Sequence, residues 1–522
     1  MERNLYRFGR QYLFRSHSRR CAGSISLDLN DWKAHPLFTK EESARIDEFC
    51  HTELGYPETT LMGMAALSVY HANEDLWATA EEIWIVAGTG GNGGDGYALA
   101  NILFQEGHSV SLFSLGDSKR EDSLFYKSLC ERSEIPIYSA NDLPIQEEEA
   151  EEGSVLLVDA ILGTGFKAPV SEPIANLIRW INSSPAFFYK LSLDTASGFS
   201  PNTETSVHIE ADSIEELGTR KWENIGFLSE GKMVPRYYES IGFPTRTLKG
   251  EGFFSNRYYL EKLDWEDFSG LLKRKTDSHK YTAGSAIFFG GDEGMEGAVL
   301  LSSSAFQSLG GGISKIFTPS LTTKEIILHT DPSKMVSVSK GKEISEDPFF
   351  PKTKTIVVGP GTKEYPEFLK TFVLEEHQTL ILDAGSIPRL GEPLPRSGKI
   401  LLTPHAGEFE RLTGKRCTTV QSAHPVALDF CKTNKVHLLF KSYVSLFVTP
   451  EGNSFVWESP NPKLATMGTG DLLVGIIARF LSLGYSIETS VYYALSFLEG
   501  TRETEEPFPS AFEILNYLVR KL

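Results

Sequence analysis

The sequence predicts an α/β protein built from two doubly wound, parallel-sheet domains. Two observations predict it. Short apolar runs alternate with helix-length segments along the chain, and run after run ends in a loop of glycines and acids instead of a hairpin turn. The pattern also resets once, in the glycine-rich stretch Lys249–Asn256. A basic extension is therefore read over 1–36, a first domain over 37–248 and a second over 249–522. Polar residues at several strand ends converge only when the strands are parallel, and open α/β sheets bind their ligands at that edge.

The first domain opens with Thr39-Lys40-Glu41-Glu42, an N-cap followed by acids, and a helical pattern through Phe49; another starts at Thr60. The apolar run Ile83–Ala87 reads as a buried strand. Glycines follow at 88, 90, 91, 93, 94 and 96, then a helix-like segment, Tyr97–Phe104. Glycine lets the backbone approach a ligand with no Cβ in the way, and amides opening a helix form an anion site. Gly88–Gly93 is a literal G-x-G-x-x-G, and the strand Ser109–Leu115 ends near Asp117, as in a dinucleotide fingerprint. Asn92 and Asp95 inside the loop speak against a plain hydride-transfer enzyme. A carboxylate beside a pyrophosphate repels it unless a cation or a sugar hydroxyl intervenes. Tight packing alone is the structural alternative for these glycines.

A helix over Asp122–Ser133 and a short strand over Ile135–Tyr138 come next, then the acidic patch Glu147–Glu149, Glu151 and Glu152, read as a solvated loop. Strand Val155–Val158 ends in Asp159 and runs into Gly163-Thr164-Gly165-Phe166. After the helix Glu172–Asn182, strand Phe187–Leu193 ends in Asp194-Thr195-Ala196-Ser197-Gly198. Three successive strands thus deliver Asn92 and Asp95, Asp159, and Asp194 with Ser197 to one edge. A single acid in such a place is most often a helix cap; three in register point to a site.

The second domain repeats the scheme. Strand Ser285–Phe289 leads into Gly290-Gly291-Asp292 and a helix from Glu296; Ile313–Phe317 is a strand; Thr355–Val358 opens into Gly359-Pro360-Gly361. Thr379–Leu382 ends in Asp383, Lys399–Leu402 runs into Thr403-Pro404-His405, and Val436–Phe440 ends in Lys441. Lys441 is either a phosphate contact or a snorkelling surface lysine, and His405 a ligand contact or a structural histidine. Gly468-Thr469-Gly470-Asp471 opens the apolar helix Leu472–Leu481. Its amides suit a phosphate or a developing oxyanion, and Asp471 a general base or, alternatively, a dipole-complementing first-turn acid.

Composition narrows the partners. A net charge of −18 speaks against nucleic acid or anionic membrane as general partners. The five cysteines are scattered, with no C-x-x-C, which suits a reducing compartment and neither a disulfide framework nor a zinc site. No apolar run approaches the roughly 20 residues of a membrane span. A cytoplasmic location and a homo-oligomer are expected. Residues 3–20 carry six arginines and no acid, interleaved with aromatics, so an organelle transit segment is the alternative to a basic extension.

Both halves now carry motifs of one family. Asn92-Gly-Gly-Asp-Gly96, Val158-Asp-Ala-Ile-Leu-Gly-Thr-Gly165 and Ser192-Leu-Asp with Ser197-Gly198 stand in the first half. The second has His279-Lys280, Gly290-Gly-Asp292, Gly297-Ala298, Gly359-Pro-Gly361, Leu382-Asp-Ala384, Leu402-Thr-Pro-His-Ala-Gly-Glu408 and Gly468-Thr-Gly-Asp471. Together, over roughly residues 37–522, they resemble the bifunctional NAD(P)HX repair enzymes, an NAD(P)H-hydrate epimerase joined to an ADP-dependent hydrate dehydratase. The resemblance implies a Rossmann-like three-layer sandwich followed by a ribokinase-like domain. It implies that Gly91, Asn92, Gly93, Gly94, Asp95, the turn Gly163, Thr164, Gly165, Phe166, Lys167, Ala168 and Pro169, and Asp194 bind the hydrated dinucleotide. Asn92, Asp159 and Ser197 would ligate potassium, a hard cation that wants oxygen donors, with Asp159 also helping as acid or base.

In the second half the resemblance implies that Ala298, Gly361, His405 and Asp471 contact the hydrate, and that Lys441, Ser442, Tyr443, Val444, Ser445 and Gly470 contact the nucleotide. ADP is the implied co-substrate, magnesium accompanies it, and Asp471 is the implied catalytic base. Departures from the family pattern are Gly91 in place of an asparagine, Thr195-Ala196 in place of Ile-Pro, Thr362-Lys363 after Gly361, and Ser442 and Met467 in place of glycines. A small-molecule kinase of the same fold, and a non-catalytic dinucleotide-binding protein, are the competing readings.

Overall fold

The computed structural model describes residues 32–143, 151–201, 207–274, 276–395 and 398–522. The arginine-rich segment 3–20 and Glu147–Glu149 lie outside the described residues, whereas Glu151 and Glu152 are exposed.

In the first half the apolar runs become the strands Glu82–Ala87, Val110–Ser114, Ile137–Ser139, Val155–Ala160 and Phe187–Leu193, joined by Ser213–Leu217 and Arg236–Glu239. All seven are parallel. Their order across the sheet places Glu82–Ala87 beside Val155–Ala160, with the sequence running outward in opposite directions from that pair. That reversal is the switch point at which a doubly wound sheet opens a crevice. Successive residues of the central strand face opposite layers. Ile83 and Ile85 pack with helices Glu58–Ala72, Gly91–Gln105 and Glu121–Arg132; Trp84 and Val86 pack with helix Glu172–Ser183. The expected three-layer sandwich is thus present.

Twelve strands form the second sheet. Seven are parallel, in the spatial order Met335–Val338, Ile313–Thr318, Ser285–Phe289, Thr355–Val358, Thr379–Leu382, Lys399–Leu402 and His437–Phe440. Val444–Val448 and Ser454–Glu458 continue it antiparallel. Again the two faces are covered separately. Ala286 and Phe288 pack beneath helices Glu296–Ser308, Thr469–Ser482 and Ile487–Glu499, while Ile287 and Phe289 share a core with helices Ala406–Thr413 and Val420–Asn434. The helix Thr469–Ser482 is buried from Leu472 to Ser482, and among the described residues no helix is long and apolar enough to cross a membrane.

The halves are not separate beads. Strand Ala34–Phe38 lies in the second sheet, antiparallel to Arg257–Leu260, and pairs on its other side with Arg220–Lys221 of the first half. Trp32 packs on the rings of Phe455 and Tyr492, with centroids 5.2 and 5.0 Å away. Part of the stretch expected to be an extension thus packs on the second half, and Trp32 and Leu37 bring apolar surface to a sheet edge that needs covering. Ion pairs tie the halves further, the buried Arg236–Glu458 and the partly exposed Arg257–Glu42.

Two local readings change. The glycine stretch is not a loop before a helix at Tyr97: the helix begins at Gly91, so Asn92 to Asp95 form its first turns. Likewise the second glycine motif is helical from Thr469. In both cases apolar residues further along hold the helix and override the poor helix propensity of glycine.

Candidate active sites

The first site is an open cavity of about 1010 Å³ at the switch point. It is lined by Gly88–Asn92 and Asp95 from one strand end, Ile161–Phe166 from the next, Asp194 from the third, and Thr219 and Lys221 beyond it. Gly93 and Gly94 are buried behind this wall. A Cβ on Gly93 would lie 1.9 Å from the Gly88 carbonyl, and one on Gly88 only 1.8 Å from that of Ile161. These glycines are needed for backbone to lie against backbone. Gly91 is different, since a side chain there would meet only Arg120, 3.8 Å away. Of the turn 163–169, Gly163 to Phe166 line the cavity, whereas Lys167, Ala168 and Pro169 are exposed beyond that lining.

Asp159 stands behind the wall. Its carboxylate is fully buried and accepts hydrogen bonds from the Ile161 N–H (3.1 Å), the Ser192 hydroxyl (2.8 Å), the Ser197 N–H (2.9 Å) and the Ser197 hydroxyl. Burial raises its pKa, and the bonds from Ser197, Ser192 and Ile161 oppose that rise. A carboxylate so engaged and outside the cavity lining is set back from the cavity that a substrate would occupy. Around it the predicted cation ligands do gather. Asn92 donates from its amide to the Leu162 carbonyl (3.2 Å), and the Ser197 hydroxyl lies 3.2 Å from that same oxygen. The Asn92 Oδ1 is buried and has no hydrogen-bond partner among the described residues.

The carboxylates that line the cavity include Asp95, Asp194 and Asp47, with Glu48, Glu58 and Asp122 beside them. Asp95 is held well above the ordinary range, by burial first and then by Asp194, Asp47 and Asp122. Asp47 sits in the mouth, reachable by water yet crowded by protein; that crowding pushes it up to about 6, against the pull of Lys221. Asp194 takes a left-handed backbone, φ 62°, and pairs with the buried Lys221 ammonium at 2.6 Å. Lys221 also donates to the Leu217 and Thr219 carbonyls, at 2.8 and 2.9 Å. Asp47 and Lys221 escaped the sequence reading. Lys221 follows strand Ser213–Leu217, whose buried Glu215 and Glu216 break the apolar pattern that marks a strand. Asp47 lies on the exposed side of the helix Lys40–Thr52 and carried no signal.

The second site lies where five neighbouring parallel strands end. Lys441 donates to Asp383 Oδ1 at 2.7 Å, and the Thr403 hydroxyl donates to that same oxygen at 2.7 Å. Gly470 leaves the Lys441 ammonium room; a Cβ there would lie 3.5 Å from it. Next in the helix, Asp471 is half-buried and pushed up to about 7, by desolvation, then by the negative Asp383, with Lys441 opposing. Gly361 has φ +72°, and a Cβ on it would lie 3.2 Å from that of Ala298, so these two predicted contacts meet. His405 caps the helix Ala406–Thr413, its Nδ1 accepting from the Gly407 and Glu408 amides, while its backbone bridges Lys441. The structural reading, a helix cap, is thus present, and the ring is 60 % exposed.

Of the nucleotide stretch, Lys441 faces Gly470, and Ser442 and Tyr443 are partly or fully exposed. Val444 and Ser445 follow, and of the two Val444 also lines a second, smaller cavity with Ser442 and Tyr443. Val444 and Ser445 are buried in the strand Val444–Val448, with Val444 in the core. Asp383 and Thr403 complete the site. Both stand at strand ends that the sequence marks.

Comparison with known proteins fits this geometry. Residues 58–221 match the family described as YjeF-related protein N-terminus, and 286–501 the family NAD(P)H-hydrate dehydratase. The bifunctional NAD(P)H-hydrate repair enzyme Nnr of Coxiella burnetii is 30% identical over 459 residues, covering 84% of this chain and 90% of that protein. The chain belongs to the bifunctional NAD(P)H-hydrate repair enzymes. Its first half is an NAD(P)H-hydrate epimerase and its second a nucleotide-dependent NAD(P)H-hydrate dehydratase, so the activity is metabolite repair. The Thermofilum pendens enzyme of the same description is 28% identical, over 91% of this chain and 94% of its own. Among solved structures, the ADP/ATP-dependent NAD(P)H-hydrate dehydratase of Bacillus subtilis, co-crystallised with ATP and magnesium, is similar at 26% identity. It covers 49% of this chain and 96% of its own, with a TM-score of 0.43.

Proposed function

We propose that the two families of residues described above carry the two activities as follows, with the epimerase assigned to 37–248 and the ribokinase-like dehydratase to 249–522. The dinucleotide hydrate lies in the large cavity with its phosphates toward the amides of Gly90–Asn92 at the helix N-terminus. Asp95, its pKa raised by burial, and the ion-paired Asp194 form two carboxyls in unlike environments. Such a pair can give a proton to and take one from the hydroxyl-bearing ring centre. Asp47, at about 6, relays protons to water at the mouth.

Potassium is the cation that Asn92, Asp159 and Ser197 would hold, and the unpartnered Asn92 Oδ1 beside a buried carboxylate supports this fit. Bound there, it would supply positive charge next to the dinucleotide phosphates. Asp159 then serves as ligand and not as acid.

In the second half ADP is the co-substrate. Asp471 takes the proton of the ring hydroxyl, whose oxygen attacks the terminal phosphorus while AMP leaves. The ring C–O bond of the resulting phosphate ester then breaks, phosphate leaves with the bonding pair, the neighbouring ring carbon gives up a proton, and the ring double bond of the reduced nicotinamide is restored. Lys441 and the amides of Gly468–Gly470 balance the transferring charge. Magnesium would accompany the nucleotide phosphates, and Asp383 offers it a hard oxygen donor. One observation carries this assignment. A first-turn carboxyl is held at about 7 beside a lysine, where a general base must be able to gain and lose a proton. Homo-oligomerisation and a cytoplasmic location complete the reading.

The test uses the full chain with mixed epimers of NADHX, potassium, magnesium and ADP, and follows the absorbance of reduced nicotinamide. Return of the signal from both epimers is expected. Return from only one would mean an inactive first site, and no return with ADP or ATP would leave a small-molecule kinase or a binding protein.

A further inference from the structure

We propose that the adenine base of the nucleotide sits between the two halves, so that the epimerase half forms one wall of the dehydratase's nucleotide site. This rests on the assignment of Lys441–Tyr443 to the nucleotide. A second cavity, of about 220 Å³, opens where the halves meet. On one side stand Ser442 and Tyr443, on the other Phe199, Pro201 and Leu228 of the first half, with Thr419 between. By the share of liquid volume per water, about 30 Å³, this space holds several waters, the scale of one aromatic heterocycle.

Its position follows the nucleotide's own layout. The Lys441 ammonium lies at the phosphate end, beside Gly470. Two further residues of chain, about 7 Å at most, lead to Tyr443. A phosphate at Lys441 therefore sends its nucleoside along Ser442 and Tyr443 toward the cavity. Tyr443 is 44% exposed there, and the opposite wall is aromatic. The Phe199 ring packs on Phe227 at 4.6 Å, and His208 packs on Phe227 at 5.4 Å. A flat base between aromatic faces gains stacking contact whatever its hydrogen-bonding pattern. Ser442 adds a hydroxyl to the second-half wall.

The two walls are fixed to each other. The Tyr443 hydroxyl donates to the Gly226 carbonyl at 3.4 Å. The Gly226 N–H donates to Glu458 Oε1 at 2.6 Å, and Glu458 is the cross-strand partner of Val444. Glu458 is also ion-paired with the buried Arg236. From the other side, Gln421 donates through its amide to the Trp222 and Ile225 carbonyls, at 3.0 and 2.8 Å. A site assembled from both halves thus needs no closing motion to form.

Photolabelling of the full-length enzyme with 8-azido-ADP tests this directly. Label on peptides containing Phe199–Pro201 or Leu228, suppressed by excess ADP, is the expected result; label confined to second-half residues would overturn the proposal. Kinetics give an independent reading. Leu228→Trp fills the cavity and should raise the KM for ADP in dehydration at least tenfold, with kcat and epimerisation little changed, epimerisation also reporting intact folding. An ADP KM within twofold of wild type would overturn the placement of the base and leave the dehydratase assignment standing. If the unsubstituted enzyme neither takes the label nor dehydrates the hydrate, the dehydratase site assignment falls and this proposal with it.

Discussion

The two glycine motifs look alike in sequence and are built for different reasons. Each precedes an acid in the opening turns of a helix, Asp95 in one and Asp471 in the other. In the first, Gly88 and Gly93 are required by carbonyl oxygens under 2 Å from where a Cβ would be, so the glycines serve close packing of chain on chain. In the second, Gly468 takes a left-handed backbone at φ +94° to start the helix, and Gly470 leaves room for the Lys441 ammonium. The first motif is a matter of fit behind the wall; the second, of conformation and reach in front of it. The acids differ accordingly, Asp95 raised by burial among other carboxyls and Asp471 poised near neutrality between a lysine and an aspartate.

Separate substitutions should break the two sites independently. Asp471→Asn removes a general base and should slow dehydration by about 10³-fold, with epimerisation intact, in parallel assays of the two reactions. Equal loss of both would mean that the sites are not distinct. Gly93→Ala should come next, since the clash with Gly88 forces backbone apart; loss of epimerisation together with a drop of about 1–3 kcal/mol in denaturant stability is expected. Lys221→Met leaves Asp194 without its buried partner and should destabilise the fold by about 3–5 kcal/mol, seen as a lowered Tm, while dehydration by the surviving folded enzyme persists.

The pH response sharpens the contrast. Asp471 must be ionised to act, so dehydration should fall as pH drops through about 7. Asp383 raises that value by its charge, so Asp383→Asn should move the acidic limb of the rate profile to lower pH. Stability runs the other way. The folded-state pKa of Asp471 lies above its ordinary 3.8, so ionising it opposes folding, and the cost grows from about pH 4 to pH 7 and is constant above. Asp471→Asn should therefore raise Tm at pH 8 and leave it nearly unchanged at pH 4. The smallest effect belongs to Gly91→Asn, which finds open space near Arg120 and should change stability by within about 0.5 kcal/mol.

Much of this was legible in the sequence because parallel sheets write themselves as apolar runs with polar ends. Ser285–Phe289, Thr355–Val358, Thr379–Leu382, Lys399–Leu402 and Phe187–Leu193 were all readable to the residue, and the loops at their ends hold Asp194, Asp383, His405, Gly359 and Gly361. What was not legible depended on burial of charge. Glu215 and Glu216 sit inside a strand because Asn73, Asn224 and the Lys221 backbone bond them, and no run of apolar residues announces such a strand. Lys221 was lost with it. Asp159 could be placed at the site but not assigned its part, because the sequence does not reveal that four donors already occupy its carboxylate. Likewise the burial of Val444 and Ser445 in the strand Val444–Val448 does not show in their nearness to Lys441 in sequence.

The strand Ala34–Phe38 has a bearing on how the enzyme can be divided. It shields the long side of Arg257–Leu260, so a fragment starting near residue 249 would leave that strand's amides and carbonyls bare. A naked edge rich in tyrosine is a template for another chain. The second half produced alone should therefore self-associate, and on the ribosome its sheet can be finished only by a segment made long before the strands it joins.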